Sequence, residues 1–317
     1  MEALAEIMMY ETAGDPVSGC KWSRRSTAKI SGQLTRLGIH VSSRTVARLL
    51  KDMGYSLRIH VKTIESGSRS RRDPVLRDRQ FAYIKRQRRD FTQRHLPIIS
   101  IDSKSRELIG PFHRKGRVWS DRAIEVLDHD YPSDAEGVGL TYGIYDLCRN
   151  TGFVCLGTSH DTAEFAVDCI RTWWLQDGRH HYSDPDELLM LADCGGSNSY
   201  RTALWKHRLQ VAFCDKTGVK VRVCHYPPGA SKWNPIEHRM FSFISINWAG
   251  KTLDSYETML KYIRSTKTEQ GLRIRACMNT KPYEKGQKPS KEEMANVVLK
   301  RYRVNPDWNY VISPSKM

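Results

Sequence analysis

The sequence predicts an α/β protein in which a mixed sheet carries flanking helices and a small helical domain precedes it. Short apolar runs of strand length alternate with segments of helical periodicity after residue 95. Acidic residues stand at the ends of these elements, since Asp102 and Asp193 follow apolar runs and Glu237 opens a periodic helix. The first 64 residues contain instead two short capped helices and a strong basic excess.

The order of elements after residue 95 specifies the fold further. An apolar strand ends at Asp102, and a hairpin follows around Asn150, Thr151 and Gly152. The later predicted elements are a helix over 161–178 that starts with an Asp161 to Glu164 capping-box variant and stops at Gly178, a strand ending at Asp193, a helix over about 199–216, a strand over 220–226 and the Glu237 helix. This β-β-β-α-β-α-β-α order is that of a ribonuclease H-like fold, with residues 106–139 as an insertion between its first two strands.

The three acids Asp102, Asp193 and Glu237 are the candidate catalytic and metal-binding residues. Taken singly, each is more typical of a helix cap or a surface ion pair. Taken together, their placement at strand and helix ends favours one site, because side chains converge there on a rigid backbone. Two Asp and one Glu offer hard oxygen ligands of the kind that Mg²⁺ or Mn²⁺ prefers.

The N-terminal third has the pattern of a helix-turn-helix. Ser26 or Thr27 caps a helix that carries Ile30, Leu34 and Leu37 and stops at Gly38. Ser42 caps a second helix that ends at Gly54, with Val46, Leu49, Leu50 and Met53 on one face. The opposite face predicts contacts with a DNA major groove and carries Ser43, Arg44, Thr45, Arg48 and Lys51. A plain helical packing unit is the alternative.

Charge supports a nucleic-acid partner. The formal net charge is +16, and residues 21–95 hold 20 Lys and Arg against 5 Asp and Glu. Such a cluster is typical of a phosphate-binding surface, although a merely solvated face is the alternative. The polar basic stretch 65–73 predicts a linker, after which Asp73 caps a helix with Pro74 at its first position.

These features predict four segments: a helix-turn-helix DNA-binding domain at 1–64, a basic linker and helix at 65–94, a catalytic domain at 95–280 and a C-terminal extension at 281–317. None of the eight cysteines forms a C-x₂-C pair, which favours small core residues in a reducing, cytoplasmic compartment. The pairs Cys224–His225 and His180–His181 are poor zinc candidates, because neighbours on a strand point to opposite faces. No apolar run reaches the roughly 18 residues of a membrane span.

The segment before Glu237 contains further candidates. Asn234 and Pro235 have the composition of a helix cap and first turn, and Asn234 is also a possible supporting residue of the site. Lys232 and Trp233 are candidates for phosphate contact and base stacking, with burial of the indole as the alternative. His238 either orients the attacking group or packs. No Gly-rich motif predicts a nucleotide cofactor.

Several segments together carry a resemblance to a known family: SIDSK, YGIYD, GTSHDTAEFAV, LLMLADCGGSNSYR, CHYPPGASKWNPIEHRMFSFI and the terminal DWNYVI. From about Trp22 to the C-terminus the chain resembles the ISAzo-type insertion-sequence transposases, which are DDE enzymes with a ribonuclease H-like core. By this resemblance Asp102, Asp193 and Glu237 match the family's DDE positions, 91 and 44 positions apart. Family members usually carry further DNA-binding helices before this point, so we expect a shortened N-terminal domain.

The resemblance implies an activity. We expect metal-dependent DNA cleavage at insertion-sequence ends and transfer of the freed 3′-hydroxyl into target DNA, with two Mg²⁺ or Mn²⁺ ions between the carboxylates. Double-stranded DNA is the expected partner, and we expect a homo-oligomer on DNA, associated with the nucleoid. The alternatives are a transposase-derived DNA-binding regulator without turnover and a ribonuclease H-like nuclease.

Overall fold

The computed structural model describes residues 2–11, 13–14, 21–22, 26–55 and 74–315. The chain forms two compact units, residues 1–64 and residues 65–317. The predicted linker 65–73, the predicted cap Asp73 and the cysteine Cys20 lie outside the described residues.

The first unit is helical. Its described elements are helices α1 (Glu2–Glu11), α2 (Thr27–Arg36) and α3 (Ser43–Asp52) and the short antiparallel strands β1 (Ala13–Gly14) and β2 (Lys21–Trp22). Its core contains Leu4, Met8, Ile30, Leu34 and Val46, all buried.

The caps of α2 and α3 lie where the sequence predicts them. The Ser26 hydroxyl accepts a hydrogen bond from the Lys29 amide, and the Ser42 hydroxyl accepts one from the Thr45 amide. Both helices end at a glycine with positive φ, Gly38 and Gly54, where a residue with a Cβ would be strained. Leu37 departs from the prediction, because it follows the last turn of α2 and is exposed.

The second unit contains the remaining elements. Its helices are α4 (Pro74–Gln93), α5 (Ala163–Trp173), α6 (Arg179–His181), α7 (Ala203–Arg208), α8 (Asp215–Thr217), α9 (Ser242–Asn247), α10 (Tyr256–Ser265) and α11 (Lys291–Ala295). Its strands are β3 (Ile98–Ser103), β4 (Glu107–Ile109), β5 (Gly137–Asp146), β6 (Thr151–Gly157), β7 (Glu187–Ala192), β8 (Lys220–His225), β9 (Arg273–Asn279), β10 (Leu299–Arg301) and β11 (Asn309–Ile312). Short 3₁₀ turns cover Pro132–Asp134 and Ser231–Trp233, and π-helical turns cover Trp174–Gly178, Leu209–Cys214 and Glu237–Phe241.

The strand order confirms the predicted ribonuclease H-like fold. The central five strands lie in the order β6-β5-β3-β7-β8, and only β5 among them runs antiparallel to β3. The full sheet is wider than predicted. Strand β9 pairs in parallel with β6 at one edge, and β11 followed by β10 pairs antiparallel with β8 at the other.

Three predicted helix boundaries were wrong. The cap of α5 is Thr162, whose hydroxyl accepts from the Phe165 amide, so Asp161 and Glu164 do not form the predicted capping box. Helical structure continues past Gly178 to His181, through a π-helical turn. The helix predicted from about residue 199 begins at Ala203, because residues 193–202 form turns after the strand.

Helices cover both faces of the sheet. On one face α5 and α7 pack on a core that includes Ile101, Tyr142 and Met190. On the other face the helical segment after Glu237 and α10 pack around Met240 and Phe241, and α4 covers part of the sheet next to β7 and β8. No described helix combines the length and the apolar character that crossing a membrane requires.

Candidate active site

The sheet brings Asp102 and Asp193 to neighbouring positions at one edge. Strands β3 and β7 are parallel, and their register pairs Ile101 with Ala192. The residues that follow this pair are Asp102 in β3 and Asp193 directly after β7. Both are partly buried.

Glu237 reaches this edge because its helical segment packs closely on the sheet. Gly143 is the partner of Asp102 in β5. A Cβ at Gly143 would lie 2.6 Å from the Phe241 ring and 2.6 Å from the Met240 methyl group, so only glycine allows this approach. The first turn of the same segment carries Glu237.

Asn234 connects the three elements of the site. Its side-chain Nδ2 donates to the Ile101 carbonyl and to the Asp193 carboxylate, each at 3.2 Å, and its Oδ1 accepts from the Ser100 hydroxyl. The side chain is completely buried. The predicted side-chain cap was wrong: only the Asn234 backbone carbonyl serves the helix, accepting from the Glu237 amide at 3.1 Å.

Burial, and for two of the acids a neighbouring carboxylate, raises the pKa values of the three acids. The pKa of Asp102 is raised to about 8, mainly by burial and further by the charges of Asp193, Glu237 and Asp161, against a lowering hydrogen bond from the Ser103 amide. Burial also raises the pKa of Asp193 to about 6, with a contribution from Glu237 and an opposing one from the Asn234 hydrogen bond. Burial raises the pKa of Glu237, which His238 and Lys104 oppose.

The donor chemistry of these residues fits a divalent cation. All three offer carboxylate oxygens, and the only hydrogen bond described for the Asp102 carboxylate comes from the Ser103 amide at 2.8 Å. In this arrangement no three His, Cys, Asp or Glu side chains of the described residues are close enough to hold one metal ion together. A cation between the acids would lower the repulsion that raises their pKa values.

The raised pKa of Asp102 predicts a pH-dependent stability in metal-free protein. The pKa of Asp102 is raised from 3.8 to about 8, so between these values the folded state binds more protons than the unfolded state. The free energy of unfolding should therefore fall as pH rises from about 4 to 8. Asp102→Asn removes this contribution and should raise the Tm most at pH 8, as measured by calorimetry in EDTA.

The matched control is Asp128→Asn, which makes the same change on a side chain that is 93% exposed. Its Tm should follow that of the parent protein at every pH. If Asp102→Asn raised the Tm equally at pH 5 and pH 8, the pKa of the Asp102 carboxyl would not be raised in the folded protein.

Lys232 and Trp233 lie on the 3₁₀ turn just before Asn234. The indole is 54% exposed, which rules out the alternative of a buried side chain. Lys232 Nζ lies 5.6 Å from the Trp233 ring centre, and Phe81 of α4 contacts the indole edge-on at 6.0 Å. His238 is exposed, and its Nε2 contacts the Lys232 carbonyl.

The predicted DNA-contacting residues lie on α3 in the first unit. Arg44, Arg48 and Lys51 are exposed, while Val46 on the opposite face is completely buried. Ser43 and Thr45 are partly buried, and the Thr45 hydroxyl is 3.0 Å from that of Ser42.

Three residues beside the acids are not predicted by the sequence pattern. Ser100 is buried two positions before Asp102, and its hydroxyl also accepts from the Ile236 amide. The available sequence signal was a polar residue within an apolar run, two positions before Asp102 and therefore on the same face of the strand. Tyr200 and Arg201 line an open pocket of about 260 Å³ beside Asp193, and no local pattern marks them.

A family comparison settles the relationship of the chain. The model of a Rhodopirellula transposase DDE domain, of the ISAZ013 type, matches residues 3–314. The chain belongs to this DDE transposase family. The match covers nearly the whole sequence, and it confirms the resemblance to a family of DDE transposases. No curated protein sequence matches this DDE transposase.

Solved structures similar to this DDE transposase are complexes of the Mos1 transposase. They include a paired-end complex with the left transposon end (16% identity, TM-score 0.44), a strand transfer complex (15%, 0.46) and a paired-end complex with Mn (15%, 0.44). Each match covers 75% of this chain, and the chain spans 64–65% of the length of those Mos1 chains. The strand order of this DDE transposase itself defines its fold.

Proposed function

We propose that this chain is a DDE transposase that cleaves DNA strands at the ends of an insertion sequence and joins the freed 3′-hydroxyl to target DNA. The observation that supports the proposal is the proximity of the three acids: the charges of Asp193 and Glu237 act on Asp102, and the charge of Glu237 acts on Asp193. Membership of the DDE transposase family supports it.

The acidic residues would bind metal ions, and Asn234 would orient one of the acids. Asp102, Asp193 and Glu237 would hold two divalent cations, Mg²⁺ or Mn²⁺, which supply electrostatic stabilisation of the attacking and leaving oxygens of a phosphodiester. Asn234 keeps the Asp193 carboxylate oriented through its Nδ2 hydrogen bond. No protein nucleophile is required, because water or a 3′-hydroxyl attacks phosphorus in line.

Basic and aromatic side chains near the acids would bind the DNA strand. Lys232 offers a charge for phosphate, and the exposed indole of Trp233 offers a flat surface for a base. Lys104 follows β3 directly, and its charge already acts on Glu237. The exposed Arg44, Arg48 and Lys51 of α3 would bind double-stranded element ends in a major groove. We expect a homo-oligomer on DNA, since the two ends of one element must be held together while both are joined to the target DNA.

A cleavage assay tests the proposal. The substrate is labelled duplex DNA carrying the sequences that flank the gene for this chain, incubated with Mg²⁺, Mn²⁺ or EDTA. We expect metal-dependent nicks that leave a 3′-hydroxyl at the element end, and joined products when target DNA is added. Nicks without joining would instead indicate a nuclease. Specific binding without any nicks would indicate a DNA-binding regulator.

The exposed face of α3 predicts which substitutions alter sequence recognition. Arg44→Ala or Arg48→Ala should reduce discrimination between element ends and random DNA by about 1–3 kcal/mol if the guanidinium contacts a base. Lys51→Ala should weaken both complexes equally if its ammonium contacts only phosphate. Fluorescence anisotropy with both DNAs at several salt concentrations measures the difference.

Lys29→Ala is the matched control, because Lys29 is an exposed cation on the neighbouring helix α2. It should leave discrimination unchanged. Equal losses on specific and random DNA for Arg44→Ala, Arg48→Ala and Lys51→Ala would exclude α3 as the element that recognises sequence.

A further inference from the structure

A chain of three buried hydrogen bonds ends on the backbone of Asp193. Trp205 Nε1 donates to the Tyr310 hydroxyl at 2.9 Å, and that hydroxyl is 3.0 Å from His225 Nε2. His225 Nδ1 lies 2.7 Å from the Asp193 carbonyl oxygen. The Trp205, Tyr310 and His225 side chains are all fully buried. Helix α7 and the terminal strand β11 are thereby connected to a candidate catalytic residue.

Elementary hydrogen-bond chemistry fixes the direction of this chain. A carbonyl oxygen can only accept, so His225 Nδ1 must carry a proton. An indole N–H can only donate, so the Tyr310 oxygen accepts from Trp205 and directs its own hydrogen to His225 Nε2. As a neutral imidazole, His225 is therefore in the Nδ1–H form, with Nε2 accepting. Each donor in the chain has one acceptor.

These hydrogen bonds reach Asp193 at the point where the pairing of β7 with β8 stops. Main-chain pairing between β7 and β8 ends at the Ala192–His225 pair. The Tyr226 amide still donates to the Ala192 carbonyl at 2.8 Å, whereas the next carbonyl, that of Asp193, receives the His225 side chain. The imidazole thus binds the first carbonyl beyond the last paired residue of β7, that of a candidate catalytic residue.

Further contacts hold the ring and the hydroxyl in place. Gln80 of α4 donates to the His225 carbonyl at 2.8 Å and to Asn309 Oδ1 at 2.9 Å. Lys206 Nζ lies 5.5 Å from the Tyr310 ring centre and donates to the Tyr200 carbonyl. Two elements distant in sequence therefore contact His225, α4 at its backbone carbonyl and β11 at its ring.

We propose that Trp205, Tyr310 and His225 act as positioning residues that hold Asp193 in the geometry needed to bind a divalent cation. This makes the C-terminal strand β11 a functional part of the active site. The inference rests on the proposed function, because that function makes Asp193 a metal ligand. Hydrogen-bond partners of metal-ligating side chains typically contribute 10- to 100-fold to metal affinity, and a bond to the ligand's backbone is expected at the lower end of that range.

The first test is spectroscopic and needs no turnover. In ¹⁵N-labelled metal-free protein, the imidazole resonances of His225 should show a protonated Nδ1 and an unprotonated Nε2. In Tyr310→Phe the preference for this tautomer should weaken, because Nε2 has lost its donor. A wild-type His225 protonated on Nε2 would overturn the proposal, since the ring would then not donate to Asp193.

The second test measures Mn²⁺ binding by titration calorimetry and amide hydrogen exchange over residues 187–198. Tyr310→Phe should weaken Mn²⁺ binding about 10-fold and accelerate exchange after Ala192. The control is Tyr83→Phe, because Tyr83 is 4% exposed and its hydroxyl has no hydrogen-bond partner among the described residues. It should change neither quantity. Unchanged binding and exchange in Tyr310→Phe would overturn the proposal.

Substitution of His225 separates positioning from simple packing. The side-chain amide introduced by His225→Asn would place a donor close to the former Nδ1, so this variant should retain most of the Mn²⁺ affinity, whereas His225→Leu should lose about 10-fold. Equal losses in both would count against positioning by the hydrogen bond. Asp193→Asn tests the proposed metal site separately from the role of His225. If it binds Mn²⁺ as wild type does, the proposed metal site is wrong, while the exchange and tautomer results still decide the role of His225.

Discussion

Asp102→Asn, Asp193→Asn and Glu237→Gln are each expected to reduce strand cleavage by more than about 1,000-fold, because removing one member of a catalytic unit removes most of its effect. Each change deletes a charge and keeps nearly the same volume. Binding of element-end DNA should be unchanged, since the exposed basic face of α3 belongs to the other unit. Single-turnover cleavage of labelled DNA and fluorescence anisotropy measure the two properties.

Asp128→Asn provides the matched control, because it makes the same chemical change on an exposed side chain of the second unit. It should cleave at the wild-type rate. Any of the three acid variants that cleaves near that rate would remove its residue from the proposed set. A loss of DNA binding in parallel with cleavage would indicate a folding defect, which the Tm of the same samples would reveal.

The sequence was sufficient to predict the two strands that carry Asp102 and Asp193, because an apolar run followed by an acid is a local pattern. The caps Ser26 and Ser42 were predictable for the same reason, since a cap involves only residues within one helical turn. The parallel position of the two acids followed from the order of elements, which fixes the strand order of this fold.

Long-range pairing accounts for what the sequence could not predict. Strand β9 joins β6 about 120 positions away, and β11 joins β8 about 90 positions away, and neither partnership has a local signature. The side chain of Asn234 is likewise determined by contacts with residues distant in sequence. Its position favours a helix cap, but contacts with Ser100, Ile101 and Asp193 determine what its side chain does. The role of His225 depends likewise on Tyr310.

Removal of residues 1–73 is expected to separate recognition from chemistry. The fragment 74–317 keeps all nine strands of the large sheet and the three core clusters of the second unit, so it should fold and bind Mn²⁺ with the affinity of the full chain. It lacks the exposed cations of α3, and its preference for element ends over random DNA should fall by about 1,000-fold, the lower part of the usual range for specific recognition.

The same division can be tested in the intact chain. The basic stretch 65–73 predicts that trypsin cuts first at Arg69, Arg71 or Arg72 and releases a stable fragment. Before cleavage, affinity for element ends should fall steeply as the salt concentration rises, because cations of the N-terminal unit would displace counterions from phosphates. After cleavage, affinity should depend less strongly on salt concentration. Thermal melting, anisotropy at several salt concentrations and mass spectrometry of the fragment measure these properties. If the fragment unfolds, or if it selects element ends as well as the full chain does, recognition does not reside in the N-terminal unit.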